Sequence, residues 1–356
     1  MSTKPLKHLK IIDLSTVLAG PAVGTFFAEL GAQVIKIEHP INRDITNTWR
    51  LASESQQTHQ SAYYSSVNYL KEILALDLSN QAHYGKFLKL LKNADVLIMN
   101  FKKGDDKKLK VTTRDLWKVN PGLIIGKITG FGSNNDRIAY DLILQAESGF
   151  MAMNGTKESG PTKMPVALID ILAAHQLKEG ILLALLKRQK NIGQVVSVSL
   201  YDAAICSLAN QASNFLMAGH IPERIGSLHP NIAPYGEIFY TNDGQIITLA
   251  IGSDSHFKKL VNCLKLYKLE TDEQFKSNIL RVRHRFELQK ILQQSISKIS
   301  CRSLLEQLME LNVPVAQIKT LDSVFDEGQA KSLVRTELVN GQMTKRVSQV
   351  AFKFER

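Results

Sequence analysis

The first two hundred residues alternate short apolar runs with amphipathic stretches. Leu9–Leu14 is an isoleucine-rich run, short enough to be a buried strand. Gly20-Pro21 opens a helical pattern through Phe26, Phe27 and Leu30, closed by Gly31. Gln33–Ile37, ending in Glu38, predicts the next strand, and Leu74–Leu78, Val96–Met99 and Leu123–Ile128 predict three more. Gln81–Leu91 reads as a helix. A long helix is expected over Ile171–Arg188, followed by an alternating strand, Val195–Leu200, and a helix from Ala203. Strands alternating with helices imply right-handed crossovers, hence an α/β fold with a Rossmann-like, doubly wound and mainly parallel sheet.

The pattern then changes. Residues 221–236 carry Pro222, Pro230 and Pro234 and read as a connector. Tyr235–Ala250, with Asn242-Asp243-Gly244 in its middle, predicts a β-hairpin. Helical patterns fill Ser255–Leu311, and Val313–Ile318 predicts a last strand. The expected division is a large Rossmann-like domain over 1–200, a linker helix and connector over 201–225, and a smaller α+β domain over 226–325.

The chain has 356 residues, 44% of them hydrophobic, enough for a large core. No stretch reaches the roughly 18 apolar residues of a membrane span. The basic segment Met1–Lys10 leads into the first strand without a signal-peptide pattern. A soluble, cytoplasmic protein with no membrane partner is expected. Cys206, Cys263 and Cys301 are odd in number and widely spaced, which fits neither a disulfide framework nor a zinc site, so no metal is expected.

The net charge of +11 favours an anionic partner. Its densest cluster is Lys102, Lys103, Lys107, Lys108 and Lys110, with no nucleic-acid-binding motif beside it. A phosphate-bearing small molecule explains the sign equally well, and no nucleic-acid partner is expected. The opening strand, glycine turn, helix and second strand imitate a dinucleotide-binding unit, but G-x-G-x-x-G is missing there. So are a Walker A loop, a G-x-S-x-G elbow and H-E-x-x-H.

Several segments together point further. They are Leu14-Ser-Thr-Val-Leu-Ala-Gly-Pro21, Ala28-Glu-Leu-Gly-Ala-Gln-Val-Ile-Lys-Ile-Glu38, Leu76-Asp-Leu78 and Ala94-Asp-Val-Leu-Ile-Met-Asn-Phe101. In order there follow Asn120-Pro-Gly-Leu-Ile124, Gly130-Phe-Gly132, Tyr140-Asp-Leu142 with Gln145 and Ser148-Gly149, and Ala167-Leu-Ile-Asp170. Gly193-Gln194, Ser199-Leu-Tyr-Asp-Ala203, His229-Pro-Asn-Ile-Ala-Pro-Tyr235 and Asp243-Gly244 complete the set. This series resembles the class III CoA-transferases, the CaiB/BaiF family, which includes formyl-CoA transferase and the α-methylacyl-CoA racemases. No single segment is specific; their order over nearly the whole chain is.

The resemblance implies a large domain built from both chain ends, with 326–356 returning to it, and an interlocked homodimer. It implies acyl-CoA and a free carboxylic acid as substrates, with no permanently bound cofactor. It makes Asp170 the catalytic carboxylate, which attacks the thioester to form an anhydride and then an aspartyl-CoA thioester. A lone Asp ahead of a helix is otherwise an N-cap. The oxyanion or acyl pocket is expected around Leu18, Ala19, Gly20, Tyr140, Gln145, Ser148, Gly149 and Glu237. CoA contacts are expected from Val17, His39, Lys71, Asn100, Phe101, Lys108 and Leu200.

Some positions depart from the family pattern. Leu18 replaces a glutamine of some relatives, Glu72 reverses an arginine's charge, and the sequence stops after Val350–Phe354 where relatives continue. Tyr140 stands where the racemases have histidine, and tyrosine, ionising near pH 10, is a poor base at neutral pH. CoA transfer is therefore the leading expectation. Racemase-like proton exchange, for which Glu237 matches a family glutamate, and acyl-CoA binding without turnover are the alternatives.

Overall fold

A computed structural model describes residues 4–55 and 57–355, so Met1–Thr3 of the basic N-terminal segment, Gln56 and Arg356 lie outside the described residues. Six strands form one parallel sheet: β1 (Lys10–Asp13), β2 (Gln33–Glu38), β3 (Lys71–Ala75), β4 (Val96–Met99), β5 (Ile124–Thr129) and β6 (Gln194–Ser199). Their order is β3-β2-β1-β4-β5-β6, every pair parallel. The winding reverses between β1 and β4, which leaves a crevice at their carboxyl ends.

Alternation within the strands builds a core on each face. Ile11, Val96, Ile98 and Ile124 pack with Phe27 of the helix Ala19–Glu29 and with Ala173, Leu177 and Ile181 of the helix Leu168–Leu186. Ile12, Leu97 and Ile125 point the other way, against Phe87, Leu91 and Leu116.

Two boundaries differ from expectation for physical reasons. β3 begins at Lys71, three residues before the apolar run Leu74–Leu78. It is an edge strand with little alternation, and Leu76, just past its end, is buried beside Phe87 and Leu91. The long helix begins at Leu168 instead of Ile171. Its first turn is satisfied by a side chain distant in sequence, described below.

The described structure divides into two compact units. One holds Met1–Met153, Thr162–Glu223 and Lys331–Arg356; the other holds Asn154–Pro161 and Arg224–Ala330. In the second, β7 (Tyr235–Tyr240), β8 (Ile246–Ala250) and β9 (Val315–Gln317) form an antiparallel sheet. The helices Asp254–Cys263, Arg285–Ile296 and Cys301–Glu310 contribute Leu260, Leu292 and Leu304 to its core. In the first, β10 (Val334–Val339) and β11 (Gln342–Val347) form a hairpin that the sequence reading missed. Its signal was present: Asn340 and Gly341 both have positive φ, as a two-residue primed turn requires.

Candidate active site

The crevice at the winding reversal opens into a cleft of about 720 Å³. Thr16 and Val17 line it from the end of β1, Asn100 and Phe101 from the end of β4, and Leu200 from just beyond β6. Lys102, Lys103, Lys107 and Lys127 also line it, and Tyr140 lies on its wall. A concave site with amines on its lining suits a ligand carrying phosphates.

The approach from β1 into the helix is sterically specific. A Cβ on Gly20 would lie 2.3 Å from Cβ and Oγ of Ser15, and one on Gly24 would lie 2.8 Å from Oδ2 of Asp13. Only glycine lets the helix descend this close to the loop and to the buried charges beneath it. Leu18 is the helix's N-cap residue, partly buried against the core. Ala19 and Gly20 are its first two residues, where backbone N–H groups have no partner in their own helix.

Asp170 is 7% exposed and sits in the first turn of Leu168–Leu186. Ala167 occupies the N-cap, and the capping is done by Asp141. Asp141 Oδ1 accepts the Ile169 N–H at 2.7 Å, while Oδ2 accepts Gln145 Nε2 at 2.6 Å. The Asp170 carboxylate accepts no hydrogen bond among the described residues. Burial, and then the negative charge of Asp141, push it up from 3.8 to about 7. A helix N-terminus ordinarily favours an anion; here desolvation outweighs it.

The other expected residues have varied surroundings. Gln145 is buried, and besides holding Asp141 its Oε1 accepts the Met164 N–H at 2.8 Å, bracing the segment that leads into the Asp170 helix. Ser148 donates through Oγ to Leu144 O at 2.5 Å, and Gly149 follows at φ +89°. Lys71, expected among the CoA contacts, lies inside the protein. Its side chain is 0% exposed, and Nζ donates to Asp13 Oδ2 at 2.8 Å, Pro21 O at 2.7 Å and Asn68 Oδ1 at 3.1 Å. All three protons are used, so none is left for a phosphate. Burial brings Lys71 down to about 8 against the opposing pull of Asp13.

Lys108 is exposed and pairs with Asp105 at 3.2 Å, while its neighbour Lys107 is the one on the cleft lining. His39 accepts the N–H groups of Ile41 and Asn42 through Nδ1 at 3.2 and 3.0 Å. In the second unit, Glu237 is 1% exposed and its Oε1 accepts from Arg285 Nε at 3.2 Å. Among the described residues no group of three or more His, Cys, Asp and Glu is placed to hold a metal. No described helix is long and apolar enough to cross a membrane.

Two aromatic residues escaped the sequence reading. Trp49 meets Tyr63 edge-on, ring centroids 5.1 Å apart, and stands 6.4 Å from Tyr140. Burial, followed by the charges of Asp170, Asp141 and Asp44, pushes Tyr63 up to about 12. Its hydroxyl is thus a neutral donor near carboxylates. Neither residue carried a local signal, because what joins Tyr63 to Asp170, and Trp49 to Tyr63 and Tyr140, is tertiary proximity.

The family model described as CoA-transferase family III matches residues 6–355. The chain belongs to CoA-transferase family III. It is 35% identical to the succinate–glutarate CoA-transferase of Agrobacterium fabrum, covering 92% of this chain and 83% of that one. It is 32% identical to the acetyl-CoA:oxalate CoA-transferase of Acetobacter aceti, covering 94% and 85%. The crystal structure of a CaiB/BaiF family protein from Brucella suis superposes with a TM-score of 0.85 at 33% identity, covering 99% of this chain and 93% of that one. As a family III enzyme the protein transfers CoA between an acyl-CoA and an acid.

Proposed function

We propose that this CoA-transferase works through a covalent Asp170 intermediate, with short dicarboxylic acids as acceptors. The observation that carries the proposal is the buried Asp170 carboxylate. It is free of hydrogen bonds among the described residues, has its helix capped by another residue, and is raised to about 7. A carboxylate held there is ionised often enough near neutrality to attack, and basic enough to be a better nucleophile than an ordinary aspartate.

In the first half-reaction an Asp170 oxygen bonds to the thioester carbonyl carbon and CoA thiolate leaves, giving a mixed anhydride. The thiolate then attacks the Asp170 side-chain carbonyl, releases the first acid and leaves an aspartyl-CoA thioester. The acceptor carboxylate runs the same two steps in reverse. Each tetrahedral oxyanion needs a donor. The Tyr63 hydroxyl, kept protonated by its surroundings, is one candidate, and N–H groups at Ala19, Gly20 and Gly149 are others. The mutually tilted rings of Trp49, Tyr63 and Tyr140 offer a partly apolar surface for an acyl chain. Lys102, Lys103, Lys107 and Lys127 on the cleft lining suit the phosphates of CoA, with Asn100 and Phe101 beside them.

The acceptor class follows the names of two relatives, which act on succinate and glutarate or on oxalate. A homodimer is supported by the helix Ala209–Ala218, none of whose residues is buried in the single chain, with Leu216 and Met217 largely exposed. Sedimentation of the purified protein tests that part.

The covalent step is tested by incubating protein with succinyl-CoA, adding hydroxylamine, and mapping the product by mass spectrometry. A hydroxamate on Asp170, absent from Asp170→Ala, is the expected result. Exchange of the α-proton of the acyl group without any adduct would overturn the covalent reading in favour of racemase-like chemistry.

A further inference from the structure

The turn between β1 and the helix Ala19–Glu29 is held by charged side chains that the transfer chemistry does not use. Val17 sits at φ +73°, a left-handed backbone that β-branched residues rarely adopt. Such conformations persist only where the surroundings over-determine them, and they cluster at functional sites. Here the surroundings do so from both sides.

The Val17 N–H donates to the Asp44 carboxylate at 3.2 and 3.3 Å. Asp44 also accepts from Lys36 Nζ at 3.2 Å, and Lys36 donates to Ser15 O at 2.7 Å. Both side chains of this pair are 0% exposed. Asp44 is oriented in turn by Thr46, whose N–H and Oγ1 reach it at 3.1 and 2.8 Å. From the cleft side Asn100 brackets Thr16, accepting its N–H at 3.0 Å and donating to its carbonyl at 2.9 Å. Thr16, Val17 and Asn100 all line the cleft.

A fully buried ion pair is a poor source of stability, because desolvation offsets most of the attraction between its members. Lys36 and Asp44 direct hydrogen bonds at the backbone of one strained turn as well as at each other. We propose that the Lys36–Asp44 pair is a positioning device, which keeps the Ser15–Leu18 turn in the one conformation that lets CoA enter the cleft. The proposal rests on the reading of the cleft as the acyl-CoA site.

The consequence is a population effect. Without the pair, Val17 relaxes toward negative φ, and apparent affinity falls by the fraction of molecules still in the competent conformation. Glycine reaches positive φ about as readily as negative φ. Replacing Val17 with glycine should therefore recover much of what loss of the pair takes away.

The experiment is calorimetric titration of free CoA into wild type, Asp44→Asn and the double variant Asp44→Asn/Val17→Gly, with melting temperatures recorded for each. Asp44→Asn is expected to weaken CoA binding about tenfold, and the double variant to bind at least threefold tighter than Asp44→Asn. A role confined to stability would lower the melting temperature without changing CoA affinity at 25 °C, and would give glycine no rescue; either result overturns the proposal. If Asp44→Asn does not fold, Thr46→Val removes the hydroxyl that orients Asp44 without touching the cleft lining. Weakening that Val17→Gly rescues supports the device, and weakening that it does not rescue overturns it. Wild type that fails to bind CoA removes the reading of the cleft and the proposal with it. Wild type and Asp44→Asn binding CoA equally removes the positioning device alone.

Discussion

Replacing Asp170 with asparagine separates the chemistry of this carboxylate from its thermodynamic cost. The carboxyl is raised from 3.8 to about 7, first by burial and then by Asp141. Between those values the unfolded chain has released the proton while the folded chain still holds it. The folded state then binds more protons, so stability falls as pH rises. Below about pH 4 both states are protonated and the cost vanishes; above about pH 7 both are ionised and the cost is complete. At about 1.4 kcal/mol per pH unit, the full interval from 3.8 to about 7 corresponds to a destabilisation on the order of 4 kcal/mol.

Asparagine keeps nearly the same shape and carries no charge, so any other effect of the substitution is a constant offset. From pH 5 to about pH 7 the wild type loses roughly 3 kcal/mol through this residue, and Asp170→Asn does not. Urea denaturation of both proteins at pH 5, 6, 7 and 8, at fixed ionic strength, measures the difference. The variant's advantage should grow by roughly 3 kcal/mol over that range and level off above pH 7, while CoA transfer is abolished. Two stability curves that stay parallel across the range would refute the argument that Asp170 carries a burial cost.

The rate of the first half-reaction in wild type should rise through about pH 7 as Asp170 ionises, measured by rapid-quench release of the donor acid at saturating acyl-CoA without acceptor; a flat profile from pH 5 to 8 would count against Asp170 as the nucleophile. Lys71→Met leaves Asp13 charged, buried and without its closest cation, at a cost of about 3–5 kcal/mol, read as a drop in the urea midpoint. Gly20→Ala forces a methyl to within 2.3 Å of Ser15 and should cost about 1–3 kcal/mol by overpacking; a melting temperature equal to wild type would show that the helix can shift. Gln145→Ala unties Asp141 and Met164 together, costing about 1–3 kcal/mol, and should lower kcat more than it raises KM for acyl-CoA.

The elements of the large unit were legible because each depends on local periodicity. Val96–Met99 and Gln81–Leu91 stand where the apolar pattern put them. The long helix began three residues early because its first-turn N–H is satisfied by Asp141, 28 positions away from Ile169. The hairpin β10–β11 was legible in Asn340-Gly341 and went unread. Lys71 was expected among the CoA contacts by the family resemblance. The structure buries it against Asp13, 58 residues earlier, and a buried cation with three internal acceptors has nothing left to offer a ligand.

By itself, the sequence determined the class of fold, the place of Asp170 at the start of a long helix, and the ordered segments that mark the family. These rest on spacing along the chain, which the backbone's own periods convert into structure. Only the tertiary structure decided which charges meet. It put Asp141 at the N-terminus of the Asp170 helix, Asp44 under the strained Val17, and Trp49 between Tyr63 and Tyr140. Such pairings depend on distance and burial, two quantities set when the strands and helices close on one another.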